Sequence, residues 1–233
     1  MVQPLTSSLP MVKKEIESRS REKDLKNFRG LNAVRLLEEE KKYSLEEVIE
    51  KGYDRTLTAF DILLPPLLHA FESEVTPDDS LFALLAGPIA VLRQWDHRSA
   101  ENSIATTLAI EWGQRILPLI FELKLTEDDE ADIVDKARRF ALSAGREQLL
   151  PYLLATIRDL EKRFGKWQIP WGMINRFQRI SPSMENQFDD AGESIPVGFA
   201  SSAWGMLPSY PSRTFPGTQK RYGVNGNSFV CAV

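Results

Sequence analysis

The sequence predicts an α+β chain, a mostly helical layer followed by a β-rich C-terminal segment. Three observations carry this. From Asn27 to about residue 180, apolar residues recur at three- and four-residue spacing between recognisable helix caps. Beyond residue 180 glycine and proline crowd together, eleven in the last 53 residues against sixteen in the first 180, and only short β-forming runs remain. The 233 residues are 42% hydrophobic and 27% charged, which is folded-domain composition, and no repeat of solenoid period is present. The chain therefore divides into a charged segment (1–26), a helical part (27–180) and a strand-and-loop part (181–233).

Each helix has its own signal. Asn27 caps a first helix whose apolar stripe is Leu31, Val34 and Leu37. Ser44 and Glu47 form a capping box, with Tyr43 and Val48 placed for a hydrophobic staple. Leu57, Phe60, Leu64, Leu67, Leu68 and Phe71 follow as a wide stripe that Pro65-Pro66 is expected to kink or split. Thr76-Pro77-Asp78-Asp79 reads as a cap, a first-position proline and first-turn acids ahead of Leu81, Leu84, Leu85, Ile89 and Leu92. Ser103 opens a helix with Ile104, Leu108, Trp112, Ile116 and Ile120 spaced by four. Residues 126–129 are expected to cap Ile133, Val134, Ala137 and Phe140. The last long helix carries Leu150, Leu153, Leu154, Ile157, Leu160 and Phe164, with Lys162 and Arg163 at its negative end and Gly165 as a left-handed stop. Residues 195–199, 203–207 and 228–233 read as short strands or extended loops, the last entered through the hairpin signal Asn225-Gly226.

Much chemistry is excluded. A net charge of −4 supplies no basic face for nucleic acid. The run at 13–23 interleaves Lys13, Lys14, Arg19 and Arg21 with Glu15, Glu17 and Glu22, as a solvated helix or linker does. Cys231 is alone and reads as a small buried hydrophobe in a strand. No apolar run is long enough for a membrane span, and no signal peptide opens the chain. His69 reads as an interior or boundary histidine among Leu67, Leu68 and Phe71; Asp96-His97 resembles an acid–base pair, but adjacent residues on a helix do not face each other. No zinc-ligand spacing or phosphate loop occurs, and Gly223-Val224-Asn225-Gly226 lacks the third glycine of a dinucleotide fingerprint. No cofactor is expected. Trp167, Trp171 and Trp204 read as packing anchors between the two parts, with a ligand groove as the other reading.

Several blocks recur together: FRGLNAVRLL at 28–37, YSLEEVI at 43–49, WDHR at 95–98, SIATT at 103–107, WG at 112–113, PWGMINR at 170–176 and GNSFV at 226–230. In this order the stretch from Asn27 to Val233 resembles the C-terminal half of the catalytic β chain of the penicillin acylase (penicillin amidase) family. That resemblance implies part of an αββα N-terminal nucleophile hydrolase that cleaves linear amides of penicillin, cephalosporin or acyl-homoserine lactone type. In such enzymes a serine freed by self-cleavage uses its own α-amino group as base, and a backbone amide with an asparagine side chain holds the oxyanion.

The resemblance implies one site residue here. Arg29 matches the arginine that supports the catalytic asparagine; read without it, Arg29 is a first-turn surface residue. No Gly-Ser-Asn processing site occurs, and the stretch Thr6-Ser7-Ser8-Leu9-Pro10, where the oxyanion asparagine belongs, contains none. The family's strand at 228–233 continues further, so the chain is expected to be a fragment, inactive alone, whose partners are a small amide substrate and the missing serine-bearing segments. A non-catalytic helical interaction module derived from such an enzyme is the alternative. The family's usual location is periplasmic or secreted.

Overall fold

The computed structural model describes residues 26–38, 41–125, 131–179 and 188–226. Helix α1 (Phe28–Leu37) starts at Asn27, whose Oδ1 accepts from the Gly30 amide at 2.8 Å. Its inward face differs from the expected stripe. Phe28 and Asn32, one turn apart, are buried, whereas Val34 and Leu37 are 61% and 58% exposed. The helix is held inward by the buried Phe28, with Leu31 packed beside the core, and by the hydrogen bonds of Asn32. In α2 (Leu45–Gly52) both bonds of the capping box form, Glu47 N to Ser44 Oγ at 3.2 Å and Ser44 N to Glu47 Oε2 at 2.8 Å. No residue of α2 is buried; Val48 stays exposed and the Tyr43 ring is faced by Lys41 and Lys51.

Helix α3 (Ala59–Glu74) runs through Pro65-Pro66 without dividing. The carbonyls that lose an amide donor there belong to Asp61 and Ile62, which are exposed and half-buried, so water can serve them. Phe60, Leu63, Leu64, Leu67 and Phe71 face the core. Helix α4 (Ser80–Arg93) starts later than Thr76-Pro77 suggested: Asp79 is the cap, accepting from the Leu81 amide at 2.9 Å. Helix α5 (Ile104–Glu122), capped by Ser103, is buried at every position from Ala105 to Gly113 and packs against α4, α6 (Ile133–Ser143) and α7 (Arg146–Phe164). The cap of α6 is Asp132, whose Oδ1 accepts from the Asp135 amide at 2.8 Å; the candidate caps at 126–129 lie outside the described residues. Gly165, at φ 77°, ends α7 as expected.

The change to extended backbone comes before residue 180. A single turn, α8 (Trp171–Ile174), leads directly into β1 (Asn175–Phe177). With β2 (Ile195–Pro196), β3 (Ser212–Arg213) and β4 (Arg221–Gly223) it forms a mixed sheet in the order β2-β1-β4-β3. β1 pairs parallel to β4, Asn175 opposite Arg221, and the outer pairs are antiparallel. Residues 203–207 do not form a strand: a 3-10 turn (Ser202–Trp204) ends at Gly205, φ 112°. The run at 228–233, with Cys231, lies outside the described residues. The fold class is α+β.

One core joins the parts. Ile169, Trp171, Ile174, Trp204 and Met206 belong to the same buried cluster as the helical residues. Trp204 stacks on Phe60, centroids 5.2 Å apart, and a Cβ on Gly113 would come 2.9 Å from its ring, so the glycine lets the indole lie against the α5 backbone. Burying one such indole, ~200 Å², contributes about 5 kcal/mol before side-chain ordering is charged against it.

Candidate functional site

Arg29 occupies the first turn of α1 with its side chain exposed. Among the described residues no hydrogen bond or ion pair is assigned to it. Its position depends on how α1 is tethered. The Phe28 carbonyl accepts from Thr58 Oγ1 at 2.8 Å. One turn on, Asn32 Nδ2 donates to Asp54 Oδ1 at 3.0 Å, to the Gly205 carbonyl at 3.0 Å and, more weakly, to the Thr56 carbonyl at 3.4 Å. Its Oδ1 accepts from Arg35 Nε and Nη2 at 3.1 and 2.7 Å. A fully buried amide with every group used ties α1 to the segment before α3 and to the 3-10 turn.

Asp54 is the anionic centre of this tether. Besides Asn32 it accepts from the Thr56 amide at 2.9 Å and from Arg98 Nη1 at 2.8 Å, and it pairs with Arg35 at 3.2 Å. Burial works against its ionisation. The hydrogen bonds from Asn32, from Thr56 and from Arg98 outweigh it and hold the carboxyl below its ordinary 3.8. Gly205 is required where Asn32 reaches across: its backbone lies in the left-handed region, and a Cβ there would meet Thr58 Oγ1 at 2.2 Å and Thr58 N at 2.6 Å.

A second polar cluster ties α5 to α7 and the sheet. Glu111, buried on α5, divides its carboxylate between Arg221 Nη1 (2.7 Å) and Arg163 Nη1 (2.9 Å), and Arg163 also meets Asp159 at 3.0 Å. Arg221 lies over the Trp171 ring at 5.9 Å. Trp171 and Trp204 are both core anchors and both walls of a pocket of about 360 Å³ between α5 and the segment leading to β3. Trp167 is half-buried beside Gly87. At the sheet, Tyr222 donates to the Asp190 carboxylate at 2.8 Å; burial, then that bond and the nearby negative charge, raise its pKa well above the ordinary phenol value.

The histidines lie elsewhere than expected. His69 is exposed on α3, so it is not an interior residue. His97 is in a loop after α4 rather than on a helix, in a left-handed conformation (φ 57°), and its Nδ1 lies 2.5 Å from Asp61 Oδ1; Asp96 caps the Arg98 amide instead. Among the described residues no serine or threonine hydroxyl is bonded to a histidine ring, and no group of ligating side chains could hold a metal. No helix among them is long and apolar enough to cross a membrane.

Sequence reasoning missed the Asn32–Asp54 tether. The available signal was a polar residue four positions after Phe28, on the face that the cap directs inward. The chain matches the family model described as penicillin amidase over residues 6–233, a span that starts upstream of Asn27. No curated protein matches it.

Proposed function

Because the chain belongs to the penicillin amidase family of N-terminal nucleophile hydrolases acting on amides, we propose that it supplies the helical flank of an amidohydrolase site. Arg29 is its contribution to the chemistry. The match across residues 6–233 carries this reading, and the tether at Asn32 supports it by giving the exposed Arg29 a defined position. In the assembled site Arg29 orients the asparagine that donates to the oxyanion, while a serine with its own α-amino group as base attacks the amide. Substrates are linear amides of penicillin, cephalosporin or acyl-homoserine lactone type, which links the protein to antibiotic metabolism. The sequence holds no Gly-Ser-Asn from which that serine could be released. The 233-residue chain is therefore inactive by itself and works with serine-bearing segments.

The test has two arms. Purified chain is assayed on phenylacetyl, glutaryl and long-chain acyl amides, then again after co-expression with a serine-bearing acylase segment. The expectation is no hydrolysis above background in the first arm. In the second, Arg29→Ala lowers kcat by about 10²-fold, as loss of an oxyanion donor does. Saturable cleavage by the chain alone, abolished by a point change within it, would sink the reading. A second reading, a helical interaction module without catalysis, is favoured by the exposed Val34, Leu37, Leu45, Val48 and Ile49 of α1 and α2. It predicts a stable complex with the acylase segment in which Arg29→Ala changes nothing.

A further inference from the structure

We propose that the pocket between α5 and the segment leading to β3, closed by Arg221 of β4, is a binding site for a small aromatic carboxylate, separate from the catalytic role given to Arg29, which does not line it. Three observations converge on that class of ligand. The first is shape and lining. A cavity of about 360 Å³ is at the small end of ligand pockets, large enough for one ring and its substituent, and indoles from Trp171 and Trp204 supply aromatic wall.

The second is the direction of its hydrogen bonds. Arg221 has five N–H donors. Nε goes to Ser212 Oγ at 3.3 Å, Nη1 to Glu111 at 2.7 Å and Gln114 Oε1 at 2.8 Å, and Nη2 to the Ser212 carbonyl at 2.5 Å. One Nη2 hydrogen has no acceptor among these. An arginine only donates, so Gln114 must turn its carbonyl oxygen to Arg221, which leaves its Nε2 hydrogens as donors at the pocket. The Gln114 and Ser212 oxygens beside Arg221 are engaged by it, while an Arg221 N–H and the Gln114 amide hydrogens are left as donors. A neutral amide would bring donors to a wall where the Gln114 and Ser212 oxygens are already engaged by Arg221; a carboxylate brings acceptors only.

The third is charge. Arg115, Arg163 and Arg221 face Glu111 and Asp159 in one connected cluster, which leaves one positive charge in excess. Glu111 is shared between two guanidinium groups, so Arg221 is not fully neutralised. It is also the cluster's most enclosed arginine, where screening by water is weakest. Among the described residues no carboxylate lines the pocket.

The test uses the full chain and three probes of matched size: benzoate, benzamide and benzylamine, titrated by calorimetry and by tryptophan fluorescence. Benzoate is expected to bind saturably, at least tenfold more tightly than benzamide, and benzylamine not to bind. Gln114→Glu keeps an acceptor for Arg221 but replaces the two donors with negative charge; it should weaken benzoate at least tenfold while the thermal melt stays unchanged. Ala203→Phe, at an exposed lining position, should abolish binding by filling the space. Equal affinity for benzoate and benzamide, no saturation with benzoate, or full benzoate affinity in Gln114→Glu would each overturn the proposal. Because these readouts need no catalysis, they stand apart from any failure to reconstitute an amidase.

Discussion

Replacing Asn32 by alanine tests whether a polar tether, rather than apolar packing, holds α1 in place. The substitution removes the donor to the buried Asp54 carboxylate and the donor to the Gly205 carbonyl, both at 3.0 Å. A hydrogen bond to a charged group contributes about 1.5–3 kcal/mol, and leaving a buried carbonyl unserved costs about 1–2 kcal/mol. Arg35, with 46% of its side chain exposed, recovers its lost acceptor from water and adds little. The expected loss is about 2.5–5 kcal/mol. At roughly 2–4 °C per kcal/mol for a chain of this size, Tm should fall by about 5–20 °C. Thermal and urea unfolding followed by circular dichroism would measure it. Asn32→Asp is the sharper companion, since it keeps the shape, removes the donors and sets a second carboxylate against Asp54; it should be at least as damaging at pH 7. A loss below about 1 kcal/mol in both variants would refute the reasoning, because the tether would then be replaceable by water.

Two glycines with left-handed backbone should respond differently to alanine. Gly205→Ala strains φ and collides with Thr58, at a cost of several kcal/mol, whereas Gly165→Ala has open space around it and costs only about 1 kcal/mol; urea midpoints of the two variants compare them directly. Asp54 should shape the acid limb of stability. Its folded pKa lies below the unfolded value, so its contribution is full above about pH 4 and is lost as pH falls through the depressed folded value; in Asp54→Asn the decline below pH 4 should be shallower in a pH series of melts. The exposed Val34, Leu37, Val48 and Ile49 should bind a hydrophobic dye or drive self-association, and Val34→Lys with Leu37→Glu should reduce both by light scattering and fluorescence.

What was legible in the sequence was what is local. The caps at Asn27, Ser44 and Ser103 join residues three apart, and Leu150, Leu153, Ile157 and Leu160 of α7 are buried as spacing predicts, whereas α5 is buried all round between Ala105 and Gly113, which its stripe did not show. The cap of α4 was placed too early because Thr76-Pro77 and Asp79 both carry starting signals, and only the fold selects the aspartate. Pro65-Pro66 did not break α3 because the freed carbonyls fall where water can reach them, which sequence alone does not tell. Strands of two and three residues are too short to show alternation, so β3 and β4 had no pattern to find. The candidate site was the least legible part. Asn32 meets Gly205 across 173 positions and Glu111 meets Arg221 across 110, and neither contact leaves a trace in spacing. Arg29 was named only through the resemblance, because a lone exposed first-turn arginine carries no signal of its own.

The parallel pairing of β1 with β4 also has a consequence for synthesis on the ribosome. The helical layer ends at Phe164 and β1 follows almost at once, but its inner neighbour is not available until Gly223 has been made. About 46 residues separate Phe177 from Gly223, and at ~5–20 residues per second they take roughly 2–9 s to synthesise. Through that interval one edge of β1 offers unpaired amides and carbonyls beside the exposed Phe177 side chain, while the helices upstream already have their local partners. The nascent chain is then a helical body that still lacks Trp204 against Phe60 and the Gly205 carbonyl for Asn32, with an open strand beside it. Slow codons within this stretch would prolong that vulnerable period, and fast ones would shorten it.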